Sequence, residues 1–153
     1  MNKKSTIFLL LLSLIATSCV NKLTYPGRLT YQITSSADFF SLFRINVTYT
    51  DDIMGSQSIT MTDNTWSKSM LKTDVKNAEL SVTLVARDPS GSTLTKDSYT
   101  MSFLPEILYD PNLTAVEETK AEDGEMPLNG VYSKDQMKKY LQLYNGHTVT
   151  VTL

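Results

Sequence analysis

Apolar and polar residues alternate with a period of two along most of this chain, the pattern of half-buried strands. Leu29, Tyr31 and Ile33 alternate with Thr30, Gln32 and Thr34, and Phe43, Ile45, Val47 and Tyr49 with Arg44, Asn46, Thr48 and Thr50. The same rhythm runs through Ile59 and Met61, through Leu80, Val82, Leu84 and Ala86, through Tyr99, Met101 and Phe103, and through Val149, Val151 and Leu153. A weaker run spans Trp66 to Leu71. In most of these runs one face is apolar and the other is rich in Thr and Ser. That predicts antiparallel sheet with one face on a core and the other in water.

Turn-forming residues separate the runs. Asp51-Asp52-Ile53-Met54-Gly55-Ser56 links two of them, Asp63-Asn64 precedes Trp66, and Asp88-Pro89-Ser90-Gly91 has the Pro and Gly positions of a type I turn. Short strands at this spacing, with no alternating helices, predict an all-β fold. The expected architecture is an immunoglobulin- or transthyretin-like antiparallel β-sandwich of about seven strands. Residues 105–132 carry no clear period. Pro105, Pro111 and Pro127 bracket an acidic stretch from Glu117 to Glu125, which predicts a solvated acidic loop. One short C-terminal helix, 133–145, comes next. Ser133 and Gln136 make a capping box, Met137, Tyr140, Leu141 and Tyr144 form one stripe, and Asn145-Gly146 ends it. The stripe is expected to dock on the sandwich, which occupies 29–153.

The N-terminus breaks the strand rhythm. Lys3 and Lys4 precede an apolar run from Ile7 to Ala16, followed by Thr17, Ser18 and Cys19. The run has the length of a signal-peptide core and falls well short of the roughly 20 residues of a bilayer span. Residues 1–19 resemble bacterial lipoprotein signals, with Ala16 where Leu is usual and a Ser-Cys ending similar to that of Bacteroidota lipoproteins. The resemblance implies that 1–18 is a signal peptide, that Cys19 is the lipidated mature N-terminus, and that 19–28 is a tether. An ordinary secreted protein is the competing reading, since Ala16-x-Ser18 also fits a small-x-small cleavage rule. Cys19 is the chain's one cysteine. In an oxidising compartment a thioether to lipid gives it a use. Two or three acyl chains there anchor a protein stably where one alone is marginal. Val20-Asn21-Lys22 lacks the acidic run often found after the cysteine of surface-exported Bacteroidota lipoproteins. The expected location is the cell envelope, lipid-anchored to the outer membrane on its periplasmic face.

Charge and length narrow the function classes. The 153-residue chain has 14 basic and 16 acidic side chains, and removing residues 1–18 takes two of the basic ones, leaving a net charge of −4. No basic patch is visible, so nucleic acid is a poor partner. The chain beyond Cys19 is one domain's worth of residues and has no intramolecular disulfide.

Candidate chemistry is sparse. His147 is the only histidine, it stands at a strand start beside Gly146, and no metal ligands accompany it at ligand spacing. The sequence has no G-x-S-x-G and no Gly-rich phosphate loop. Asp51, Asp52 and Asp63 offer carboxylates for a glycosidase pair, but loop Asp in a β protein is first a turn former. Trp66 offers a stacking surface for a sugar; a core or edge-strand role is the simpler one. The calcium-loop pattern Asp-x-Asp-x-Asp-Gly is absent. No cofactor and no metal site are expected.

From Leu29 to Leu104 the chain resembles a loose group of small Bacteroidota lipoproteins. The resemblance is carried by Thr30-Tyr31-Gln32-Ile33-Thr34-Ser35-Ser36-Ala37-Asp38, by Val47-Thr48-Tyr49-Thr50-Asp51, and by Ile59-Thr60-Met61-Thr62-Asp63-Asn64-Thr65-Trp66. It implies a β-sandwich lipoprotein and transfers no catalytic residue. The first expectation is therefore a non-catalytic, lipid-anchored envelope protein that binds a protein or glycan partner. The alternative is a pilin-like or assembly subunit, with Arg28 as a protease site ahead of the first strand and the terminal strand, 147–153, completing a neighbour's sheet. An enzyme acting on glycans stands third.

Overall fold

The structure is a computed structural model that describes residues 26–51, 53–72, 75, 78–111, 117–120 (main chain only) and 128–153. Among these residues ten strands and two short helices succeed one another. They are β1 Gly27–Ser35, α1 Ala37–Leu42, β2 Phe43–Asp51, β3 Gly55–Thr60, β4 Thr65–Lys72, β5 Glu79–Ala86, β6 Ser98–Met101, β7 Phe103–Asp110, β8 Glu117–Lys120, β9 Gly130–Ser133, α2 Lys134–Leu143 and β10 Thr148–Thr152. Two four-stranded antiparallel sheets, ordered β4-β1-β7-β8 and β10-β5-β2-β3, form the sandwich, and β6-β9 makes a separate two-stranded ribbon. The fold is thus an all-β sandwich with a short C-terminal helix.

The alternation read from the sequence is the alternation that is buried. Leu29, Tyr31 and Ile33 of β1 and Ile45 and Val47 of β2 are at most 1% exposed, and Leu80, Val82 and Leu84 of β5 are fully buried. They belong to one core with Ile107, Val149 and Val151. Aromatic contacts cross it: Tyr31 meets Tyr49 at 5.6 Å between ring centroids, and Tyr49 meets Trp66 at 5.3 Å.

Three expectations are corrected, and one element is new. The strand read as Tyr99–Phe103 is two: Ser102 interrupts it, β6 pairs with β9, and β7 pairs with β1 in the sandwich. The break is stitched by Ser36, whose Oγ accepts from Ser102 N–H at 3.0 Å while its own N–H donates to Ser102 O at 2.9 Å. Secondly, the aperiodic loop does not begin at 105, because β7 runs on to Asp110. Pro105 is tolerated there because β8 pairs only from Glu106 onward, so the proline is not flanked on both sides. The main chain of 117–120 is itself strand β8, and 130–133 is β9. The new element is α1, between β1 and β2. It is too short for a period, but Ser36 caps it, accepting from Phe39 N–H at 3.2 Å. Phe39 then stacks on Phe103 at 4.8 Å and leans on Phe43 at 5.0 Å. Finally, β1 already includes Gly27 and Arg28, so Arg28 is not a linker residue: it pairs within β1, opposite Leu71 and Asp110.

The helix read as 133–145 is α2 with its capping box in place. Met137 and Leu141 are buried, and Tyr140 and Tyr144 pack on the core's margin. Tyr144 N–H closes the last turn on Tyr140 O at 2.9 Å, and Gly146, at φ 83°, reverses the chain so that its N–H reaches Leu84 O at 2.7 Å. The terminal strand β10 then pairs with β5 of the same chain, from Thr148 opposite Thr83 to Thr152 opposite Glu79.

Candidate functional site

The residues singled out from the sequence are dispersed. Cys19 and the signal-like run lie outside the described residues, as do Asp52 and the segment 121–127. Asp51 accepts through Oδ1 from Ile53 N–H at 2.9 Å and Met54 N–H at 3.1 Å, and these bonds hold its carboxyl below the usual range. Asp63 Oδ1 accepts from Asn64 N–H at 2.7 Å. Both therefore shape turns and do not face each other across a cleft. His147 is half-buried at the entry to β10, edge-on to Tyr144 at 5.4 Å. Trp66 stands on edge strand β4 with part of its surface exposed, beside a shallow depression of about 310 Å³ lined by Gln32, Ile33, Thr34, Thr65, Trp66 and Ser67. Among the described residues no group of three His, Cys, Asp or Glu side chains is placed to hold a metal ion.

Two further polar clusters are also explained by folding. Asp38 in α1 binds Lys96 and accepts through Oδ2 from Thr100 N–H at 2.8 Å, which fastens the helix to β6. The Lys96 hydrogen bond is the chief reason its carboxyl is held below the ordinary value. Asp88 gathers Ser90, Ser92 and Thr93 around its two oxygens, with the side-chain bond from Ser90 contributing most to its lowered pKa. The expected type I turn closes there, Gly91 N–H donating to Asp88 O at 3.1 Å.

What the strands do assemble is the outer face of the β10-β5-β2-β3 sheet. Because alternate residues share a face, the polar half of each alternation lines up across all four strands. Thr60, Asn46, Thr83 and Thr148 form one row, and Ser58, Thr48, Ser81 and Thr150 the next. Ser56 with Thr50 and Glu79 with Thr152 continue the pattern towards one end. Neighbouring side chains bond across the strands. Thr60 Oγ1 donates to Asn46 Oδ1 at 2.8 Å, while Thr48 meets Ser58, Ser81 meets Thr150 and Thr83 meets Thr148, each at 2.9 Å. Rows lie about 6.7 Å apart along the strands and about 4.8 Å apart between them. The two complete rows hold eight side chains and no charge.

Each hydroxyl carries one donor and two acceptor positions, and a single cross-strand bond leaves capacity for a ligand. The mutual bonds also fix the rotamers, which lowers the ordering cost of binding. Between Arg44 at one end and Glu79 at the other, these two rows suit a ligand that is itself flat, neutral and rich in hydroxyls. The signal for it is present in the sequence as the Thr and Ser half of each alternation. The register that brings four strands into common rows is not, because it depends on which strands pair.

The chain matches no family model, no curated protein and no solved structure.

Proposed function

We propose that this protein is a non-catalytic envelope lipoprotein, anchored through lipid at Cys19, that binds a glycan on the outer face of its β10-β5-β2-β3 sheet. The observation that carries the binding half is the pair of uncharged rows across four strands, with side-chain hydrogen bonds between β2 and β3 and between β5 and β10. The anchor half rests on the signal-like run and the lone Cys19. A glycan is favoured over a protein partner because the rows present neither the aromatic anchors nor the Arg typical of protein hot spots. The assembly-subunit reading loses its motive where the terminal strand is concerned, since β10 is already paired with β5 of its own chain.

The test uses the native protein from envelope membranes. Mass spectrometry of its N-terminal peptide is expected to find Cys19 first and acylated; an unmodified thiol there overturns the anchor. Affinity electrophoresis in gels containing neutral polysaccharide is expected to retard the protein. The double variant Thr48→Glu, Thr83→Glu places two charges in the centre of the face and is expected to abolish the retardation with the fold intact by circular dichroism. Equal retardation of variant and parent overturns the sheet face as the site.

A further inference from the structure

We propose that the β2–β3 hairpin tip, with Ile53 and Met54, is a membrane-contacting point that rests in the surface of the bilayer to which Cys19 is tethered. The inference builds on the lipid-anchor reading above.

The most exposed large apolar side chain among the described residues is Ile53, at 94%, and its neighbour Met54 is 64% exposed. They are not loosely strung. Asp51 Oδ1 accepts from both of their N–H groups, and Gln57 Nε2 donates to Met54 O at 2.9 Å, so the tip is held in a defined turn ahead of Gly55 at φ 73°. Hairpin tips in water favour Gly, Asn, Asp and Ser. Two adjacent apolar side chains projecting from a structured tip call for an apolar environment.

The topology puts this tip at the end of the sandwich where the N-terminal segment joins. β1 starts at Gly27, opposite Lys72. Lys68 and Lys72, on the adjacent β4, both act electrostatically on Asp51 at the base of the tip. Tyr31 Oη donates to Thr50 O at 3.0 Å, bringing the end of β2 to the first half of β1. Leu71, 66% exposed, lies beside Arg28 at this same end.

Chain length decides what this end can meet. Cys19 is eight residues before Gly27, a reach of at most about 28 Å when fully extended. The far end, where α1 and α2 lie, is a further strand length away, about 30 Å for the nine residues of β1. A lipid on Cys19 therefore holds the tip end within about 28 Å of the bilayer, whereas the far end meets it only if the tether is almost fully extended and the domain inverts. Charge at the tip end is mixed, Arg28, Lys68 and the buried Lys72 standing with Asp51 and Asp110, so the contact is assigned to the apolar side chains and not to attraction by anionic headgroups. The bilayer is thus the occupant that the tether itself delivers. A second attachment point would also fix the domain's orientation, turning the sheet faces outward from the membrane plane.

The experiment uses the full-length lipidated protein. Since acylated Cys19 has no free thiol, Ile53→Cys supplies a single labelling site, and Leu143→Cys on α2 supplies the same at the far end. Each variant is labelled with an environment-sensitive fluorophore and reconstituted into vesicles of phosphatidylcholine and phosphatidylethanolamine. At position 53 the emission is expected to shift to the blue and iodide quenching to fall several-fold relative to position 143. Equal quenching at the two positions in protein that floats with the vesicles overturns the tip contact and leaves the anchor standing. Failure to float overturns the anchor, and the tip contact with it. A blue shift that needs another protein added to the vesicles also overturns the proposal, because the tip then serves a protein partner.

Discussion

Ser36 shows how much of this fold a single hydroxyl can hold. Its Oγ accepts from Phe39 N–H, capping α1, accepts from Ser102 N–H where β6 gives way to β7, and donates to Thr100 O at 2.8 Å. A Ser→Ala change removes the cap, which alone costs about 1 kcal/mol, and leaves the Ser102 N–H to find another acceptor. Ser36→Ala is therefore expected to lower stability by about 1.5–3 kcal/mol, read as a shift in the urea midpoint with unchanged slope. A loss below about 0.5 kcal/mol, the range of an ordinary surface substitution, would show that these bonds are replaced by water at no cost. α1 has only six residues, too few to show a helical period in the sequence. What the sequence also hides is the partner: Ser102 is 66 residues away, and no local pattern reports that distance.

At the scale of elements, legibility tracks periodicity. β1, β2, β5 and β10 are readable because the two sheets bury one face of each and leave the other wet, so the period of two is complete. β7 is not readable beyond Phe103 because its continuation Leu104-Pro105-Glu106-Ile107-Leu108 carries a proline and breaks the alternation of residue types. Glu106 is buried at 4% exposure yet sits on the polar face, where Gln32 Nε2 donates to its Oε2 at 2.6 Å. A buried carboxylate with a hydrogen-bonding partner looks like a loop residue to any reading of polarity alone. β5 gives the direct test of the alternation. Leu84 is fully buried, whereas Thr83 lies on the outer face against Thr148. Leu84→Ala is expected to cost about 2–5 kcal/mol, and Thr83→Ala less than about 1 kcal/mol. Equal losses in urea unfolding would mean that the two faces are not distinguished by burial. The candidate glycan face rests on the same residues from the other side: its chemistry is visible as Thr and Ser positions, and its geometry only once β10, β5, β2 and β3 are seen to be neighbours.

Across the whole molecule, the pairing of the terminal strand bears on whether the domain is self-contained or a building block for an assembly. Val149 and Val151 are buried, at 1% and 2% exposure, and Leu153 packs on the margin of the core, its N–H reaching Ala78 O at 3.0 Å. The terminal strand thus pairs within its own sheet, where α2 and Gly146 deliver it. Deleting residues 147–153 takes those side chains out of the core and exposes the edge of β5. The full-length protein is expected to be a monomer by light scattering in detergent-free buffer when Cys19 is replaced by Ser, and the deletion is expected to lower its stability by several kcal/mol, at about 1.5–3 kcal/mol for each buried aliphatic side chain lost. The freed edge then favours aggregation, since an unpaired strand is a template for further pairing. The opposite result has a different meaning: a stable multimer of the intact chain that dissolves on deletion requires β10 to pair between molecules. That would move the assembly-subunit reading ahead of the glycan-binding one, because the same four-stranded rows would then be built from two chains.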